Sequence, residues 1–194
     1  MPQGSLLLFL ISLKPTRIYI AVFCLALLVR AAAASPADAG SGFIFSPELV
    51  KAYSDIQKLR LEKARGVLKE EQAKKGLNGF IPYLESYSDF FYFLVTDNLQ
   101  EYAAFGKRQE TRLQQLERLS AGSPYQRMMM AEIRLHSAFV KLKFGNRTAG
   151  CWDIIRANRL LSENLRLFPG FVPHLKALGL LHVMIGSVPE EYQW

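Results

Sequence analysis

Apolar residues at helical spacing run almost without interruption from Pro47 onward, and this feature most constrains the fold. Strand-like alternation of apolar and polar residues is not evident in the same region. Proline tends to stand in the first turn of a helix, where its missing N–H is not needed. Prolines of this kind occur at Pro47, Pro82, Pro124 and Pro173. The predicted helices span 47–59, 61–75, 80–95, 98–119, 124–144, 147–168 and 171–186, and an eighth begins at Pro189.

The helix from Pro124 is apolar on two sides. Met128, Leu135 and Leu142 follow one stripe, while Met129 and a later isoleucine follow a second, flanking stripe. A helix with two apolar sides contacts neighbours on both, which is the expectation for a stacked array. The sequence therefore predicts an all-α domain of stacked antiparallel helical hairpins over residues 47–194.

Internal repetition supports the array. Residues 79–84 (GFIPYL) recur as residues 170–175 (GFVPHL), and both pieces open a predicted helix. The first two helix-opening prolines, Pro47 and Pro82, are separated by 35 residues. That spacing is close to the period of about 34 residues in tetratricopeptide repeats.

Particular residues also match that repeat. Leu178-Gly179, followed by His182 and Gly186, has the spacing of its first helix, with histidine where the pattern usually has tyrosine. The chain thus resembles a divergent tetratricopeptide repeat of the kind found in exported bacterial proteins. The resemblance implies an α-solenoid without chemistry of its own that binds other proteins. A second match, to the end of one helix and the opening of the next, consists of Gly145, Gly150, Ile154 and Ala157.

The N-terminal segment has the three parts of a secretory signal. Lys14 and Arg17 are the basic part, the apolar run spans 18–29, and small residues follow. We expect a signal peptide over residues 1–34 and a short linker over 35–46. The cleavage region comprises Ala33, Ala34 and Ser35. The expected location is the periplasm or the cell envelope.

Both ends of the chain leave alternatives open. The apolar stretch 6–13 precedes the basic pair, which leaves open whether the first methionine is the true start; alternatively, residues 6–29 act as an uncleaved inner-membrane anchor. The helix predicted from Pro189 is only a few residues long at Trp194. A solenoid normally ends in a helix with a polar outer face. We therefore expect the repeat domain to be incomplete at its C-terminus: either the protein continues beyond Trp194 or its last helix is a stub.

The charge and the titratable residues exclude several functional classes. The net charge of +7 falls to +4 without the leader, which is mild for a nucleic-acid-binding protein. The histidines, among them His174 and His182, do not form a zinc motif, and acidic pairs suited to acid–base catalysis are not evident. We expect no catalytic residue, no metal and no cofactor. Cys151, beside Trp152 on a helix, is expected to be a buried structural thiol.

The candidate partner-binding residues form three groups. Arg127, Arg134 and Lys141 recur every seven residues on the polar side of one helix. In tetratricopeptide-like arrays the first helix of each hairpin lines the groove, so this stripe is a candidate receptor for a carboxylate or an acidic peptide. A solvated helix face is the alternative. The other candidates are Tyr87 and Tyr92, from a dense aromatic segment, and Met130, the outward member of three methionines.

The predicted function is a non-enzymatic helical-repeat scaffold that binds a protein or peptide in the bacterial cell envelope. Two alternatives remain. The chain is the N-terminal helical portion of a larger enzyme or transport assembly, or it is a peripheral membrane protein that uses its late basic helices. The sequence does not identify the partner, the physiological process or the oligomeric state.

Overall fold

The computed structural model describes residues 42–74, 76–119 and 122–186. All regular secondary structure in these ranges is α-helical, which confirms the predicted all-α class. None of the described helices is long and apolar enough to cross a membrane. The helices are α1 (Pro47–Gln57), α2 (Leu61–Ala73), α3 (Phe80–Val95), α4 (Leu99–Glu117), α5 (Pro124–Lys143), α6 (Arg147–Leu167) and α7 (His174–Gly186).

Two predictions concern residues that the structure does not describe. The signal peptide over residues 1–34, with its cleavage region at Ala33, Ala34 and Ser35, lies outside the described ranges. The helix predicted to begin at Pro189 lies outside them as well. Both stay predictions.

Side-chain caps mark the start of four helices, α1, α4, α5 and α6. Ser46 Oγ accepts a hydrogen bond from Leu49 N at 3.3 Å, and Asn98 Oδ1 accepts one from Glu101 N at 3.1 Å. Such caps satisfy backbone N–H groups that have no partner within the helix. These local signals are visible in the sequence, so six of the seven predicted helices begin within one residue of the observed start.

The last predicted helix is the exception. It was expected from residue 171, but α7 begins at His174. Phe171 lies instead in a turn, with its N–H bonded to Phe168 O at 3.0 Å. Its ring packs edge-on against Tyr125 of α5, with ring centroids 4.9 Å apart. The contact with Tyr125 thus holds Phe171 outside the helix. Phe80, the equivalent residue of the repeated segment, is instead the first residue of α3.

The helices pack in chain order. Each helix contacts the next one, and the alternate helices α1, α3, α5 and α7 also contact one another in succession. Two hydrophobic clusters result. The first joins α1 to α5 and contains the fully buried Phe93 and Phe105, and the second joins α5, α6 and α7 through Ala131, Ala157 and Leu181. Since α5 belongs to both clusters, its two apolar stripes are explained.

One core prediction is wrong. Cys151 was expected to be buried beside Trp152, but Cys151 is only half-buried and Trp152 is 56% exposed. The face of α6 that packs against α5 lies instead at Gly150, Ile154 and Ala157, three and four residues apart. Gly150 permits this close approach, because a Cβ atom there would lie 2.8 Å from Leu142 Cγ.

Candidate functional site

The alternate helices bring aromatic and charged side chains together on one side of the molecule, which we call the odd-helix face. Its members come from four helices that are far apart in sequence. Three of them, Tyr83, Glu132 and His136, are buried, while Tyr53, Tyr87 and Lys176 are partly exposed. The odd-helix face is defined by Tyr53, Tyr83, Tyr87, Glu132, His136 and Lys176.

A buried carboxylate connects three of these helices. Glu132 Oε2 of α5 accepts a hydrogen bond from the Tyr83 hydroxyl of α3 at 2.7 Å. The same oxygen lies 2.8 Å from Lys176 Nζ of α7, whose side chain is 34% exposed. Lys176 Nζ is also 3.2 Å from the Tyr83 hydroxyl. A buried charge is tolerated only when it is paired and hydrogen-bonded, and here both conditions are met.

Stacked rings extend from this carboxylate toward α1. Tyr87 lies parallel to Tyr53, with ring centroids 5.6 Å apart, and parallel to Tyr83, with centroids 6.2 Å apart. On its other side Tyr87 stacks against His136 at 5.3 Å. Lys176 Nζ lies 5.8 Å from the ring centroids of both Tyr83 and Tyr87, within the range of cation–π attraction. The rings are therefore held in fixed orientations from several sides.

His136 also makes a polar contact beneath the rings. Its Nδ1 lies 3.0 Å from Ser86 Oγ, and both side chains are buried. A serine–histidine pair can support nucleophilic catalysis when the serine is accessible to a substrate. Ser86 is 0% exposed, so the pair joins α3 to α5 and does not face solvent.

The protonation states of the odd-helix face follow from burial and neighbouring charge. Burial raises the pKa of the Tyr83 and Tyr87 phenols. Burial, and then the positive charge of Lys176, lowers the pKa of His136 well below its usual value. Burial acts to lower the pKa of Lys176, but the Glu132 carboxylate together with Tyr53 and Tyr87 outweighs burial, so the pKa of Lys176 is raised. At neutral pH the face thus carries neutral rings around one ammonium–carboxylate pair.

Tyr92 and Met130, predicted as contact residues, lie away from this face. Tyr92 is nine residues after Tyr83 on α3, which places it half a turn away around the helix axis. Its hydroxyl accepts a hydrogen bond from Asn98 Nδ2 at 3.0 Å, and the Arg65 guanidinium lies 5.4 Å from its ring centroid. Met130 is half-buried and packs against the first hydrophobic cluster. Of the predicted aromatic candidates, the structure places only Tyr87 on the odd-helix face.

The predicted basic stripe faces α6. Arg134 Nη1 and Lys141 Nζ lie 3.2 and 2.6 Å from the two carboxylate oxygens of Asp153. Arg127 Nη2 lies 3.6 Å from Glu163 Oε1. The stripe therefore receives carboxylates of its own chain, on the opposite side of α5 from Glu132. Whether these three residues also contact a partner stays a prediction.

An open cavity lies beside part of this stripe. It has a volume of about 330 Å³ and lies between α5 and α6; we call it the α5–α6 cavity. Two of its lining side chains differ in exposure: Asp153 is 2% exposed, whereas Arg156 is 59% exposed. The lining residues are Lys141, Ala149, Trp152, Asp153 and Arg156.

Sequence reasoning did not single out Glu132 or Lys176. Glu132 lies four residues before His136 on the stripe of α5 that faces α3, so a carboxylate within an apolar face was the available signal. The local sequence around Lys176 did not mark it as a site residue, because its partner, Glu132, lies on another helix. Among the described residues, the structure groups no set of histidine, cysteine and acidic side chains suited to holding a metal ion.

Comparison with known proteins gave no match to a family model, a curated protein or a solved structure.

Proposed function

We propose that this chain is a non-enzymatic helical-repeat scaffold that binds a protein or peptide partner through the odd-helix face. The observation that carries the proposal is the convergence of α1, α3, α5 and α7 on one surface with partly exposed aromatic side chains and one lysine. Tyrosines in such positions are frequent anchors of protein interfaces.

The packing of the aromatic side chains favours binding. Tyr87 is held between Tyr53 and His136, so little side-chain freedom remains to be lost when a partner binds. Lys176 keeps a third of its side chain exposed while its charge is balanced by Glu132. A partner can therefore contact the aliphatic part of Lys176 without leaving an unpaired charge in the interface.

The wider setting of this proposal is a tetratricopeptide-like array in an exported bacterial protein. Small residues at the helix contacts, such as Ala131, Ala157 and Ala177, suit the close stacking of hairpins. The leader pattern of residues 1–34 supports export to the periplasm or the cell envelope.

Site-specific photo-cross-linking in the bacterium tests the proposal. A photoreactive benzoylphenylalanine replaces Gln57, which is half-buried and lies one turn after Tyr53 on the same side of α1. The matched control carries the same group at Arg118, an exposed residue just after α4. A discrete cross-linked protein is expected only from position 57. Identical products from both positions, or none from position 57, would refute the proposal.

A further inference from the structure

The carboxylate of Asp153 is surrounded by more positive charge than it can neutralise. Arg134, Lys141 and Arg156 all place a cationic nitrogen within 4.0 Å of it, at 3.2, 2.6 and 3.9 Å. Three cationic groups against one carboxylate leave an excess of two positive charges at this point. Such an excess around a nearly buried group favours the approach of a further anion.

The contacts identify which cation is available. Asp153 Oδ1 accepts a hydrogen bond from Arg134, and Oδ2 accepts hydrogen bonds from Ser137 Oγ at 2.7 Å and from Lys141. Arg156, at 3.9 Å, is beyond hydrogen-bond distance. Its guanidinium is largely exposed and lines the α5–α6 cavity. It can therefore offer its planar set of donors to an incoming carboxylate.

The apolar part of the cavity lining consists of Ala149 and Trp152. They lie three residues apart, and Arg156 follows four residues later, so all three are on one side of α6. Trp152 is 56% exposed, which is unusual for the largest side chain. Ala149 lies in the first turn of α6, where the helix dipole is positive and acidic side chains are absent. The cavity thus combines a cationic wall, an indole surface and a positive helix end.

We propose that the α5–α6 cavity binds an acidic segment of a partner protein, with a carboxylate on Arg156 and a neighbouring apolar side chain on Trp152. Trp152 and Arg156 both line the cavity, so a segment that presents an apolar and an acidic side chain side by side can contact both. Arg156 and Trp152 do not belong to the odd-helix face, so this inference does not depend on the function proposed for that face.

Fluorescence anisotropy with a labelled peptide of alternating glutamate and leucine tests this inference. The unsubstituted chain is expected to bind this peptide in low salt and not to bind a matched peptide of lysine and leucine. Arg156→Gln and Trp152→Ala are each expected to weaken binding about tenfold. The first removes a charged hydrogen bond, and the second removes a large apolar contact. Both replaced side chains are exposed, and circular dichroism verifies that the variants are folded.

Arg159→Gln is the matched control, because it removes the same charge from an exposed position one turn along α6 that does not line the cavity. Binding by this variant is expected to be unchanged within about twofold. Equal weakening by Arg156→Gln and Arg159→Gln would indicate general charge attraction and overturn the proposal. Displacement of the peptide by equimolar succinate or inorganic phosphate, with no effect of Trp152→Ala, would indicate a small-anion site and overturn it as well.

Discussion

Lys176 Nζ lies 2.8 Å from Glu132 Oε2, although the two residues belong to different helices and are 44 positions apart in the chain. The same oxygen accepts the Tyr83 hydroxyl at 2.7 Å. One buried carboxylate therefore fixes the positions of α3, α5 and α7 relative to one another. The odd-helix face depends on this connection, because Tyr83 also supports the ring of Tyr87.

Replacing the carboxylate tests that connection. Glu132→Gln leaves Lys176 charged and removes its partner, and we expect the free energy of unfolding to fall by about 1–2 kcal/mol. This is less than the ~3–5 kcal/mol for breaking a fully buried pair, because a third of Lys176 is exposed to water. Urea denaturation at pH 7 measures the change.

The control for this prediction is Glu163→Gln. Glu163 is 42% exposed and lies 3.6 Å from Arg127, so its loss is expected to cost less than about 0.5 kcal/mol. An equal loss of stability in the two variants would contradict the role of the Glu132 carboxylate in connecting α3, α5 and α7.

The buried histidine predicts a dependence of stability on pH. Burial lowers the pKa of His136 well below its usual value of about 6.5, so the folded state disfavours the protonated ring. The stabilisation is fully present above the unfolded pKa and is lost as the pH falls below it. We expect a loss of about 1 kcal/mol from this group between pH 7 and pH 5.5.

The variant His136→Phe isolates this contribution, because it keeps a ring in the stack and removes the titrating group. Urea denaturation at pH 7, 6 and 5.5 is expected to give a shallower pH dependence for the variant than for the unsubstituted chain. Parallel curves of the free energy of unfolding against pH for the two proteins would show that protonation of His136 does not cause the loss of stability at low pH.

The helix boundaries could be predicted from the sequence, whereas the site could not. Caps such as Ser46 and Asn98 act within three residues, so their effect is visible in local sequence. The pairing of Arg134 with Asp153 depends instead on how α5 lies against α6. Sequence spacing correctly placed Arg134 on one stripe with Lys141, but it did not reveal that the stripe faces an acid of the next helix.

Core positions on α6 show the same limit. Ile154 and Ala157, which match apolar and small positions of the repeat's second helix, are both buried. The prediction for Cys151 was wrong because the covered side of α6 runs through Gly150, Ile154 and Ala157, and Cys151 lies at the edge of that side. Which side is covered depends on neighbouring helices, and the sequence alone does not specify them.

Lys143 provides a prediction about the end of α3. Its Nζ donates hydrogen bonds to the backbone oxygens of Phe93 at 2.5 Å and Thr96 at 2.7 Å, and its side chain is 15% exposed. The last backbone carbonyls of a helix have no N–H partner within the helix, and Lys143 supplies the missing hydrogen bonds. Lys143→Met is expected to lower the free energy of unfolding by about 1–2 kcal/mol.

Hydrogen exchange and urea denaturation measure the two consequences of this change. Exchange is expected to accelerate in the last turn of α3, near Phe93, more than in α1. Lys107→Met is the control, since Lys107 is exposed on α4 and its loss is expected to change stability by less than about 0.5 kcal/mol. Similar effects of both substitutions would contradict the capping role.

The final prediction concerns two helix ends with the same hydrogen bonds and different residues. After α5, Gly145 has a φ of 81°, and Asn146 N bonds back to Lys141 O at 2.8 Å. After α1, Leu59 occupies the equivalent position with a φ of 57°, and Arg60 N bonds back to Asp55 O at 2.8 Å. Glycine adopts this left-handed conformation without steric cost, whereas leucine pays about 1–2 kcal/mol for it.

Leu59→Gly is therefore expected to change stability by less than about 1 kcal/mol, because the relieved strain is offset by lost burial of a side chain that is 40% exposed and by the greater freedom of glycine in the unfolded chain. The reciprocal change, Gly145→Leu, is expected to destabilise it by about 1–2 kcal/mol, although open space surrounds that position. Differential scanning calorimetry measures both shifts of Tm. A fall in Tm for Leu59→Gly as large as that for Gly145→Leu would mean that the Leu59 side chain contributes more by packing than its backbone costs in strain.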